Sequence, residues 1–186
     1  MSRPALRPAG ARSCRHSLVA TRRRVEELEF RPPTAAAVLD RMRVLSEAHD
    51  GWINLLPGVP EDEVEPPSRG VFSALFGTAQ PPVSMCTWMP AGGGRRGTGE
   101  QSLGILHPRG RRAASQLAEL GVPVPPGWRV SQDHSRRGLI VHPLAAASAS
   151  EVLDWMLRAG TALALAPLTG TWQARVFLPR QPSASS

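Results

Sequence analysis

The chain has 186 residues, of which 41% are hydrophobic and 20% are charged, and its formal net charge is +7. This composition can bury the core of one domain without a disulfide framework. The longest apolar stretch, residues 159–168, is too short to cross a bilayer and contains a proline, so no membrane span is expected.

The positive charge is concentrated at the N-terminus. Residues 1–24 contain seven arginines and no acidic residue, so the other 162 residues hold 15 basic and 15 acidic side chains. An Arg-rich segment without acids is typical of a disordered arm, and such an arm can also contact phosphates. We expect a basic disordered arm over residues 1–24, with these candidate nucleic-acid-binding residues: Arg12, Arg15, Arg22, Arg23 and Arg24.

Residue usage gives two further indications. Arginine, alanine, glycine and proline are abundant while lysine and tyrosine are absent, which indicates a high-GC bacterial genome. The two cysteines, Cys14 and Cys86, have no metal-site spacing and fit a reduced cytoplasm.

The first elements follow the arm. Residues 17–30 fit either a helix or a strand, because Leu28 and Phe30 alternate while other apolar residues share a helical face. A clear amphipathic helix follows, with Thr34 as the predicted N-cap and Gly51 as its stop signal. A short strand from Trp52 to residue 56 comes next.

Residues 57–82 form an acidic, proline-rich loop, because dense proline is incompatible with helix interiors and strand ladders. The loop contains an apolar segment, residues 71–76. This segment fits two roles, a plug packed on the core or a docking site for a partner. The candidate partner-binding residues are Val71, Phe72, Leu75 and Phe76.

The second half of the chain suggests a β-β-α repeat. His107-Pro108 and His142-Pro143 each end a strand that precedes a helix, and the second pair lies 35 residues after the first. The predicted strands span 83–89, 101–107, 128–134 and 138–142, and the predicted helices span 111–120 and 148–165.

The second hairpin turns at Ser135, Arg136 and Arg137. With the turn centred on the first two of these, one face should carry Trp128, Val130, Leu139 and Val141, and the other Arg129, Ser131, Asp133 and His142.

The last helix begins with a capping box of Ser148 and Glu151. Its predicted buried face consists of Val152, Met156, Ala159 and Leu163. A final strand over residues 172–178 closes a single domain spanning 25–180, and residues 181–186 should be disordered.

No motif predicts a cofactor, metal or catalytic residue. Gly92-x-Gly94-x-x-Gly97 matches the dinucleotide fingerprint, but it leads into a strand instead of a helix. Asp133, His134 and Ser135 are adjacent on a strand, so their side chains cannot point at one another. A metal site of His107, His142 and Cys86 would require a pseudo-twofold sheet to bring the strand ends together.

These elements predict an α+β fold, an antiparallel sheet of about five to six strands packed by two or three helices. The order helix, strand, loop, two strands, helix, two strands, helix over residues 34–165 resembles the type III secretion chaperone-like architecture. The resemblance implies a non-enzymatic, cytoplasmic module that binds a protein or peptide, often as a homodimer.

Two alternatives stay open. The first is a nucleic-acid-associated protein that binds through the arm, whose binding would weaken steeply with salt. The second is a small-molecule enzyme with an unrecognised site. A deep pocket lined by His107, His142 and Arg129 would favour this second alternative.

Overall fold

The computed structural model describes residues 23–32, 34–60, 83–92, 99–110 and 112–180. In this part of the chain an antiparallel seven-stranded sheet packs against three helices, which confirms the predicted α+β class. The strands are β1 (Val25–Phe30), β2 (Trp52–Pro57), β3 (Met85–Met89), β4 (Ser102–Leu106), β5 (Arg129–His134), β6 (Gly138–His142) and β7 (Trp172–Phe177). The helices are α1 (Ala36–Ala48), α2 (Ala113–Glu119) and α3 (Ala149–Leu163).

The sheet has one strand more than the upper limit of the prediction, because the ambiguous stretch before α1 is β1. The strand order is β1-β7-β2-β3-β4-β6-β5, so the last strand lies between the first two. The hairpins β3–β4 and β5–β6 are joined antiparallel through β4 and β6, with Leu103 opposite Val141 and Ile105 opposite Leu139.

The core lies between the helices and one face of the sheet. Paired residues such as Cys86 and Ile105 point to this face and are at most 1% exposed. Helix α3 lies in the middle and contacts α1, α2 and β3. Its capping box forms as predicted, with Ser148 Oγ accepting from Glu151 N at 3.2 Å. Its predicted apolar face is fully buried, which confirms Val152, Met156, Ala159 and Leu163 as core residues.

The ends of α1 differ from the prediction. Ala35 is the N-cap and no side chain caps the helix, because Thr34 Oγ1 donates to the Arg31 carbonyl at 2.7 Å instead. At the other end His49 takes the left-handed position at φ 51°, where glycine was expected. Gly51 serves strand packing instead, because a Cβ there would lie 2.3 Å from the Phe177 carbonyl oxygen.

A β-bulge changes the predicted faces of the β5–β6 hairpin. Val130 pairs with Val141, but Gln132 pairs with Ile140, so one extra residue is inserted in β5. After the bulge Asp133 lies opposite the buried Leu139 and turns to the helix side of the sheet. The prediction that Asp133 shares a face with Arg129 and His142 is therefore wrong.

The face of the sheet away from the helices, here called the second face, is mixed in character. Trp52 stacks on Phe177 with ring centroids 4.4 Å apart, and the Arg23 guanidinium lies 5.0 Å from the Trp52 ring centroid. Asn54 and Thr87 are hydrogen-bonded across β2 and β3. Among the described helices, none has the length and apolar character needed to cross a membrane.

The segments predicted to be irregular lie largely outside the described residues. This applies to residues 1–22 of the arm, 61–82 of the proline-rich loop and 181–186 at the end. Pro57, predicted as the start of the loop, is instead the last residue of β2, where it pairs with Trp172.

Candidate ligand-binding cleft

A cleft of about 490 Å³ lies where β4 begins and β6 ends. Its polar lining comes from Glu100 and Gln101 before β4, Arg129 at the start of β5 and His142 at the end of β6. The remaining lining residues are apolar or glycine: Ala91, Gly99, Gly127, Pro143, Leu144 and Ala145. A concave site with a few convergent polar groups on an apolar wall is the usual form of a small-molecule site.

Strand register brings the charged groups of the cleft together. Arg129 pairs with His142 across β5 and β6, which places both side chains at one end of the sheet. Arg129 Nη2 donates to Glu100 Oε2, and His142 Nδ1 lies 3.6 Å from the same oxygen. Glu100 therefore contacts a permanent cation and a titratable imidazole together.

A second layer fixes the floor of the cleft. Gln101 Nε2 donates to the Leu144 carbonyl at 3.2 Å, and its Oε1 accepts from Trp88 Nε1 at 3.4 Å. Gly127 lies so close to Leu144 that a Cβ would be 3.1 Å from its Cδ1. The Leu144 side chain is nevertheless 48% exposed, so it forms an accessible aliphatic wall.

Ser131 lies beside the cleft on the β-bulge. Its Oγ is 2.9 Å from His142 Nε2, the ring nitrogen opposite the one that faces Glu100. Bulges re-aim side chains at sheet edges, and this one leaves Ser131 without a paired residue on β6. Ser131 and His142 were predicted to share one face, whereas Glu100, which follows the Gly-rich hairpin tip, was not among the predicted site residues.

The candidate partner-binding residues Val71, Phe72, Leu75 and Phe76 lie outside the described residues. The same holds for Arg12, Arg15 and Arg22 of the candidate nucleic-acid-binding set.

Two arginines of that set are described. Arg23 donates to Asp50 Oδ1 at 2.6 Å and to the Leu178 carbonyl at 3.1 Å, so it is fixed on the domain. Arg24 is largely exposed, with Glu26 at 3.5 Å.

The two His-Pro histidines do not meet. Because β4 and β6 run antiparallel, His107 after β4 and His142 at the end of β6 lie at opposite ends of the sheet. Burial raises the pKa of the Cys86 thiol to about 12, so it stays protonated inside the core. Within the described residues no group of three potential ligands is arranged for a metal ion.

His107 is a buried histidine at the end of the sheet away from the cleft. Continuing the β3–β4 register by one residue places it opposite Ser84, and both side chains are at most 5% exposed. Among the described residues, neither its ring nitrogens nor Ser84 Oγ has a hydrogen-bond partner. Burial lowers the pKa of His107 and the nearby Asp133 charge only partly opposes this shift. His107 is thus held neutral and does not reach the cleft.

The comparisons with known proteins leave the site as the basis for function. A scan of family models and searches of curated proteins and of solved structures found no match to this chain. Function is therefore inferred from the cleft and its side chains.

Proposed function

We propose that the protein binds a small molecule with a carbonyl group and a short aliphatic portion in this cleft. The supporting observation is the convergence of Glu100, Arg129 and His142 on one concave site of about 490 Å³. A volume of this size falls within the range of small-molecule sites. A pocket lined by His107, His142 and Arg129 was expected to favour a small-molecule enzyme, and two of these residues, His142 and Arg129, line the cleft.

The polar end of the cleft suits a hydrogen-bond acceptor. The Arg129 guanidinium has five N–H groups, and its bond to Glu100 uses one of them. A carbonyl oxygen can accept from such a donor. Because Glu100 balances the charge of Arg129, a neutral ligand suits the cleft as well as an anion.

The other end suits an alkyl group. Leu144 exposes nearly half of its side chain and lies beside Pro143 and Ala145 in the lining. Covering this surface with a ligand methylene would be worth about 0.8 kcal/mol per buried CH₂. The ligand is therefore amphipathic and short.

Isothermal titration calorimetry with 2-pentanone as the probe, a ketone with a carbonyl group and a short alkyl chain, tests this proposal. We expect saturable binding by the parent protein and binding at least about fivefold weaker in Arg129→Met and in Leu144→Ser, because each loses one recognition element. Arg136→Met, on the exposed turn between β5 and β6, is the matched control and should bind like the parent. No heat of binding, or equal weakening by Arg136→Met, would overturn the proposal.

The binding of a protein or peptide, implied by the resemblance in element order, stays a separate proposal. Its candidate residues in the segment 71–76 lie outside the described residues, so the cleft does not bear on it. The nucleic-acid alternative also stays a proposal. Arg23 is a weaker candidate for contacting phosphates, because its guanidinium is already paired with Asp50.

A further inference from the structure

The cleft and the β-bulge beside it together hold the parts of an activated nucleophile. Ser131 Oγ is 2.9 Å from His142 Nε2, and His142 Nδ1 is 3.6 Å from Glu100 Oε2. Serine, histidine and carboxylate in this order form the arrangement that activates a hydroxyl for acyl transfer, whatever the fold. We propose that Ser131 is a nucleophile that cleaves small carboxylic esters bound in the cleft, an inference that rests on the proposed ligand class.

The imidazole is oriented from both sides. In the tautomer with its proton on Nδ1, the ring directs that proton to Glu100 and leaves the Nε2 lone pair for the Ser131 hydroxyl. His142 has a mostly buried side chain, and its Nδ1 has no hydrogen-bond partner among the described residues. A shorter contact with Glu100 would satisfy this nitrogen, and such contacts commonly tighten when substrate binds.

Arg129 has a positioning role in this arrangement. Its bond to Glu100 holds the carboxylate beside the imidazole. Its other N–H groups are the cationic donors in the lining that can stabilise an oxyanion. A nucleophile must also be accessible. The bulge in β5 provides this, because it places Ser131 on the exposed edge strand next to His142.

The chemistry balances with water as the co-reactant. Ser131 Oγ bonds to the ester carbonyl carbon while His142 Nε2 takes the hydroxyl proton. The bond from that carbon to the alkoxy oxygen breaks, and the alcohol leaves with the proton from Nε2. Water then adds to the acyl-enzyme, giving one proton to Nε2, which returns it to Ser131 Oγ as the carboxylic acid departs.

Labelling with an alkyl fluorophosphonate, followed by peptide mass spectrometry, tests the assignment directly. We expect phosphonylation of Ser131 at neutral pH, slowed at least about tenfold in His142→Gln and also slowed in Glu100→Gln, because the general base or its orientation is lost. Ser46, an exposed serine on α1, is the internal control and should stay unlabelled. Ser131→Ala should abolish both the label and the hydrolysis of p-nitrophenyl butyrate above the buffer rate.

Two results would overturn the inference: no label at Ser131 above that at Ser46, or labelling unchanged in His142→Gln. The first of these results uses the parent protein alone, so a misfolded Ser131→Ala or His142→Gln protein does not affect the decision. Calorimetry separates this failure from that of the proposed function. Binding of 2-pentanone without labelling would leave the ligand site standing and remove Ser131 as a nucleophile.

Discussion

At the scale of single residues, Asp133 shows how a side chain from one strand completes a distant helix. Helix α2 begins after Arg112 and has no cap from its own N-cap residue. The Asp133 carboxylate, turned toward α2 by the bulge, accepts from Ala113 N at 2.9 Å and from Ala114 N at 3.0 Å. A carboxylate at this position also interacts favourably with the helix dipole.

Asp133→Ala should therefore lower the free energy of unfolding by about 1–2 kcal/mol, the usual cost of losing an N-cap. Asp154→Ala is the control, since Asp154 is exposed and forms an ion pair with Arg158 on the same helix. It should cost less than about 0.5 kcal/mol. Urea denaturation of both variants measures the difference. Equal losses would show that Asp133 does not act as a cap.

His107 gives a pH prediction at the same scale. Its pKa in the folded state is lowered from 6.5 by burial, so protons bind the unfolded chain more readily. The stability that comes from keeping His107 neutral is complete above pH 6.5 and is lost as the pH falls below that value. We expect the free energy of unfolding to fall between pH 7.5 and pH 5, and His107→Leu to reduce this fall. Denaturation curves at the two pH values decide; an unchanged slope in the variant would exclude His107 as the cause.

At the scale of elements, the sequence predicts best those features that depend on residues close together in the chain. The buried face of α3 and its capping box depend on residues three or four positions apart, so the local pattern predicts them. The predicted capping residues of α1 were wrong, because Thr34 donates a hydrogen bond to the Arg31 carbonyl and His49 adopts the left-handed conformation at the end of the helix. The bulge at Ser131 could not be predicted, since β5 has a single apolar residue, Val130, and its hydrophobic pattern specifies the register only weakly.

Gly160 tests the packing of α3 on the sheet. A Cβ at this position would lie 2.8 Å from a Trp172 ring carbon and 2.9 Å from Cys86 Sγ. Gly160→Ala should destabilise the protein by up to about 2 kcal/mol, because overpacking costs about 1–3 kcal/mol and the gain of about 1 kcal/mol in helix propensity offsets only part of it. The control is Thr161→Ala, because Thr161 is the next residue along the helix and is exposed. This substitution should change stability by less. Thermal denaturation of both variants checks this, and a stabilised Gly160→Ala protein would contradict the close packing.

At the scale of the whole molecule, the function depends on non-local strand pairing. The sequence predicts the α+β class and most strands, but β7 pairs with β1 and β2 across most of the chain, and no local pattern specifies that. The β4–β6 pairing separates His107 from His142 and brings Glu100 to His142 instead. The candidate site could therefore be predicted only in part: Arg129, Ser131 and His142 follow from one hairpin, whereas Glu100 follows from the sheet order.

The central claim is that the cleft at the start of β4 and the end of β6 is the ligand site. The most direct test is the indole region of a ¹H–¹⁵N NMR spectrum, because the chain has five tryptophans and the Trp88 indole donates to Gln101 at the floor of the cleft. On titration with 2-pentanone, we predict a saturable shift of the Trp88 indole signal and no shift of the Trp172 signal, which reports on the core at the opposite end of the sheet. An unchanged Trp88 signal at saturating probe, or a larger shift at Trp172, would contradict the account.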